Sequence, residues 1–138
     1  RKIPQPLLDA FSENGWTFVI GTEYLTDLSR KLGVNCIGAA VYTEKRIYVS
    51  EASAVLHEFG HFLDCTMGFP QEHKDLYALE AASAPMKQHA KSNSLEYFAE
   101  FFSYWLSGSM RTLAQLKELT PETYAYFEEL SAEWSLLS

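Results

Sequence analysis

A chain of 138 residues, 47% hydrophobic and 14% aromatic, can bury one substantial core and is too short for two, so residues 1–138 are expected to form one domain. Its formal charge of −7 comes without any block of Lys or Arg, which excludes a nucleic-acid footprint and disfavours an anionic membrane surface. No apolar run reaches the length of a membrane span, leaving a peptide or protein as the expected partner of a monomer.

In chain order, helical apolar spacing predicts a helix over Gln5–Asn14, stopped by Gly15. Trp16–Ile20 alternates and β-branches like a short strand, and Tyr24–Leu32 reads as a second helix ended by Gly33. Cys36–Tyr42 and Arg46–Ser50 are extended segments joined by Thr43-Glu44-Lys45, a predicted antiparallel hairpin. Ser50 is the expected N-cap of a helix over Glu51–Thr66, closed by Gly68 and Pro70. A further helix is expected over Asp75–Ala84, up to Pro85. Asn93–Leu106 is a long aromatic segment, too apolar on most faces for a surface helix and expected to pack on the helix over Glu51–Thr66. Met110–Glu118 follows, and Thr120-Pro121-Glu122 reads as an N-cap with Pro at the first position of a last helix through Trp134. Strands early and helices late make an α+β domain, with a small N-terminal mixed sheet or hairpin packed on a central helix and a helical C-terminal half.

The central helix carries His57-Glu58-Phe59-Gly60-His61. Histidines four apart share one helix face, about 6 Å apart along the axis, so two imidazole nitrogens can hold one Zn²⁺. Glu58 would lie beside the open coordination position and take a proton from the bound water as general base, the pattern of a zinc-dependent peptidase. Cys65 stands on the same face, but ligands strung along one straight helix over about 12 Å cannot surround a metal tetrahedrally. A third histidine in the spacing HExxHxxGxxH is also absent, because Asp64 and Met67 occupy the required positions. The remaining ligand is therefore expected from another helix, where Glu96 and Glu100 stand four apart in the most aromatic stretch. Asn93-Ser94-Leu95-Glu96 also fits a capping box, the alternative for Glu96. Glu100 is expected to accept the second ring N–H of a ligand histidine, the alternative being a buried carboxylate bonded to backbone or a tyrosine, and Asp64 either supports a histidine likewise or pairs with a lysine.

The segments Val55–Asp64 and Glu96–Phe102 resemble the catalytic domain of the anthrax-lethal-factor-like metallopeptidases, a group that includes the small secreted Pro-Pro endopeptidases. Thr120-Pro121-Glu122-Thr123-Tyr124 before Phe127 is similar to the tail of the latter, and the resemblance spans residues 38–130. It implies a zincin-like fold, His57, His61 and Glu96 as zinc ligands, Glu58 as base and Glu100 as support. It also implies a secreted endopeptidase, directed to sites near proline. Where the family has a tyrosine that stabilises the oxyanion, seven residues before the ligand Glu, this chain has His89. An imidazole N–H can serve the same purpose; the alternatives are an exposed histidine on the polar run Lys87–Lys91, with Tyr77 or another tyrosine supplying the hydroxyl.

The expected reaction is peptide hydrolysis, with the substrate added as an extended strand along Ile37–Tyr42. The rival expectation is a catalytically silent zinc module with a regulatory or protein-binding role; a metal-free helical interaction domain is a second. Cys36 and Cys65 are either buried thiols or a single bridge. The start at Arg1 rather than Met predicts a mature or trimmed form, and Arg1-Lys2-Ile3-Pro4 carries no apolar signal core.

Overall fold

The computed structural model of the protein describes residues 3–21, 23–33 and 35–136. Helix α1 (Gln5–Glu13) starts after Pro4, whose φ of −57° suits a helix entrance, and leads into strand β1 (Thr17–Ile20). Helix α2 (Glu23–Leu32) is followed by β2 (Gly38–Val41) and β3 (Arg46–Val49). The three strands form one sheet in the order β1-β3-β2, with β1 parallel and β2 antiparallel to β3. Of the two N-terminal arrangements expected from sequence, the mixed sheet is the one formed, and β2 lies at its edge. The rest is helical: α3 (Val55–Thr66), α4 (Gln71–Glu80), α5 (Ser94–Ser107), α6 (Met110–Leu119) and α7 (Pro121–Leu136). The class is thus α+β, mostly helical.

Two helix starts and one helix cap differ from the sequence reading. Ser50 does not cap the central helix, because its backbone N–H and its hydroxyl both donate to the Ile37 carbonyl and extend the hairpin. The chain instead enters α3 through a 3₁₀ turn at Ala52–Ala54. Helix α4 starts at Gln71 rather than Asp75: Pro70 presets its first turn, and the Gln71 amide donates to the Asp75 carboxylate at 3.0 Å across one turn of the polar stretch. Thr120 does not cap α7 either, since its hydroxyl donates backwards to the Leu116 carbonyl.

The first N–H groups of α7 are taken by a distant side chain. The buried Glu80 carboxylate accepts from the backbone N–H of Glu122 at 2.9 Å and from the N–H and hydroxyl of Thr123, both at 2.7 Å. A carboxylate at the positive end of a helix is also favoured electrostatically. Glu80→Ala should therefore cost about 2–4 kcal/mol of stability, because buried donors are orphaned. A urea titration should show a lower midpoint at unchanged slope; a loss below about 1 kcal/mol would mean that solvent replaces the carboxylate.

The core lies between the sheet and the α3–α5 pair. Phe59, Phe62, Phe101, Phe102 and Phe127 have no exposed surface, and full burial of each such ring contributes about 2–3 kcal/mol. Tyr97, Phe98 and Ala99 are also buried on α5, the aromatic segment expected to face the central helix. The two helices approach closely because Gly60 has no side chain: a Cβ there would stand 2.7 Å from Ala99 Cα and 3.0 Å from its carbonyl oxygen.

Candidate metal centre

Helix α3 presents His57 and His61 side by side, ring centroids 4.9 Å apart, to the first turn of α5. That turn is fixed by Asn93, whose side-chain oxygen accepts the Glu96 N–H at 2.9 Å. The N-cap part of the expected capping box is thus present. The Glu96 carboxylate, however, spans the imidazoles: Oε1 lies 3.1 Å from His57 Nε2 and Oε2 lies 3.1 Å from His61 Nε2. His57, His61 and Glu96 each offer a ligand atom within 4.8 Å of the others, and they are the one such group among the described residues. Two imidazole nitrogens and a carboxylate oxygen from two helices are a donor set suited to a borderline divalent cation.

The outer nitrogens of the two rings have different partners. Glu100, one turn beyond Glu96, places Oε1 2.9 Å from His57 Nδ1. Tyr42, immediately after β2, places its phenol oxygen 3.2 Å from His61 Nδ1. Burial pulls the His57 imidazole down, but hydrogen bonds to Glu100 and Glu96 outweigh it and hold the group at about 10. Burial raises Glu96, yet the two imidazoles hold its carboxyl far below the ordinary carboxylate range. Glu100 is lowered by the His57 hydrogen bond against its burial, and the Tyr42 phenol is pushed up, chiefly by burial. Without a cation His57 thus keeps its proton, so a metal entering the cluster must displace it.

Glu58 is 8% exposed, and burial raises its carboxyl against the pull of His61 and His57. It fits beneath the edge strand because position 38 is glycine; a Cβ there would lie 2.9 Å from Glu58 Cγ and 3.0 Å from its Oε2. An open cavity of about 330 Å³ lies over the cluster, lined by Gly38, Ala40, Tyr42, Glu58, His89 and Leu95 among others. His89 sits on the 3₁₀ turn Gln88–Lys91 with Nε2 3.2 Å from Glu96 Oε1, while its side chain is 82% exposed. His89 is therefore an exposed histidine, as one of the two readings has it, and it stands beside the cluster. Tyr77 is committed elsewhere, its hydroxyl donating to the Lys91 carbonyl at 2.6 Å.

Asp64 does not support a histidine of this cluster. It lies 2.7 Å from Nδ1 of His73 on α4, and His73 Nε2 lies 2.6 Å from the Tyr126 hydroxyl on α7. The His73 ring stacks on Phe98 at 4.0 Å. Asp64 is thus part of a buried clasp between three helices, behind the site. Cys36 and Cys65 are not bridged, and neither joins the ligand group. Tyr42 and His73 were the residues that sequence reasoning missed. Tyr42 stands 19 positions before His61, and only the folded hairpin brings it near; His73 sits in the polar stretch ahead of the helix start expected at Asp75.

No helix among the described residues is long and apolar enough to cross a membrane. The family described as anthrax toxin lethal factor, N- and C-terminal domain, has a model that matches residues 14–130. None of the curated proteins matches the chain.

Proposed function

The chain belongs to the anthrax toxin lethal factor family, and from that premise we propose that it is a zinc-dependent endopeptidase with His57, His61 and Glu96 as metal ligands. The observation that carries this reading is the Glu96 carboxylate lying against Nε2 of both histidines, with Glu58 beside it under an open cavity. Three ligands with an accessible face fit a catalytic centre better than a structural one, which closes all four positions with protein groups. Zinc, when bound, supplies a Lewis acid that acidifies water and polarises the scissile carbonyl.

Glu58 accepts the proton of the attacking water and returns it to the leaving amine. Its raised affinity for a proton, caused first by burial, suits that exchange. Glu100 holds the His57 ring by Nδ1. His89, exposed at the rim and within reach of Glu96, offers an imidazole N–H to the developing oxyanion. An extended peptide adds along the edge of β2, where Gly38, Ala39 and Ala40 line the cavity with small side chains. On this reading residues 1–138 work as one catalytic domain of a secreted, proline-directed enzyme.

The zinc-loaded protein, incubated with a diverse peptide library, should give cuts that vanish with a chelator and return with added zinc, read by mass spectrometry. Absence of any chelator-sensitive cut from a zinc-loaded chain would instead favour a silent zinc-binding module.

A further inference from the structure

We infer that Tyr42 is a positioning residue of this centre, its phenol holding His61 and tying that histidine to the strand along which a peptide would lie. The inference rests on the metal reading of His57, His61 and Glu96.

An imidazole that ligates through Nε2 must carry its proton on Nδ1, and that N–H needs an acceptor to fix the tautomer and the ring plane. For His57 the acceptor is the Glu100 carboxylate. For His61 the group within reach of Nδ1 is the Tyr42 phenol at 3.2 Å, and the two rings meet edge to face at 77°. The phenol is held by its surroundings, because the Tyr42 ring also packs edge-on against Trp16 at 6.3 Å and Phe69 at 5.4 Å.

A hydroxyl suits this position in a way a carboxylate would not. In the metal-free cluster His61 stands between the Glu96 carboxylate, 3.1 Å from Nε2, and the Tyr42 phenol, 3.2 Å from Nδ1. With Nε2 turned to a cation, Nδ1 would carry the ring proton and the phenol oxygen would accept from it. One side chain serves both states because a hydroxyl donates and accepts. In the second state the phenol hydrogen is released to another acceptor, and Tyr42 lines the cavity at the end of β2. A substrate carbonyl or a water there would then be bound by the same hydroxyl that supports the ligand, coupling occupancy of the edge strand to His61.

The test is Tyr42→Phe, which keeps the ring and removes only the oxygen. Zinc affinity is measured by competition with a chromophoric chelator at fixed pH, alongside thermal melting of the metal-free protein. We expect affinity to fall about 10–100-fold, the usual cost of losing a hydrogen-bond partner of a ligand histidine, while metal-free melting falls by less, as for one lost hydrogen bond. The visible bands of the cobalt(II)-loaded variant should shift, a readout that packing alone would leave in place. Unchanged zinc affinity in Tyr42→Phe beside a zinc-binding wild type would overturn the inference alone, as would a loss matched by an equal fall in metal-free stability. A wild type that binds no zinc would overturn the metal reading itself.

Discussion

Glu58→Gln is expected to retain one zinc per chain and to lose peptide hydrolysis by about two to four orders of magnitude, the usual contribution of a positioned general base. The substitution is nearly isosteric, so the fit beneath Gly38, with less than the room of one methyl group, is preserved. What changes is proton chemistry: an amide cannot accept the water's proton, and the burial that raises the Glu58 carboxyl no longer serves a function. The comparison requires kcat and metal content on the same preparation. Hydrolysis at the wild-type rate with a full complement of zinc would remove Glu58 from the reaction.

Glu96→Ala should have its largest effect on metal retention. Among the described residues its carboxylate is the one group that lies against both inner imidazole nitrogens, and its loss leaves a two-histidine site. A site with two protein ligands holds zinc far less well than one with three, so the loss should exceed the roughly 10–100-fold expected from removing a supporting partner. The helix start should survive, because Asn93 accepts from the backbone N–H of residue 96 and not from its side chain. Elemental analysis after dialysis, with circular dichroism for the fold, separates the two effects. Wild-type stoichiometry would transfer the third-ligand role to another residue.

Much of the architecture was legible because local chemistry and tertiary packing agree. The hairpin segments, the central helix and the aromatic α5 were written in alternation, periodicity and the positions of Gly and Pro. Apart from the local start of α4, the misses share a cause: a side chain or backbone group whose partner lies far along the chain. Thr120 looks like a cap, yet Glu80 supplies the capping oxygens from 42 and 43 residues away. Ser50 looks like a cap, yet it completes a strand pair with Ile37. In the site, the pair Glu96 and Glu100 stood out because carboxylates are costly among aromatics. Tyr42 carried no such signal, since a tyrosine at the end of a strand is ordinary until the sheet is laid over α3. Asp64 was placed by helix spacing alone, which specifies a face and not the neighbouring helix that fills it.

The two middle positions of His57-Glu58-Phe59-Gly60-His61 have unequal consequences for ion choice. Phe59 anchors α3 in the core, whereas Gly60 lets the backbone of α5 touch it at Ala99. If His57 and His61 on α3 and Glu96 on α5 hold a cation as proposed, that contact would set the gap available to it. Zinc–ligand bonds near 2.0–2.1 Å need a narrow gap, while calcium takes oxygen ligands at 2.3–2.6 Å. A methyl at position 60 would wedge the helices apart and carry Glu96 away from the imidazoles, loosening the grip on small cations without touching a single ligand.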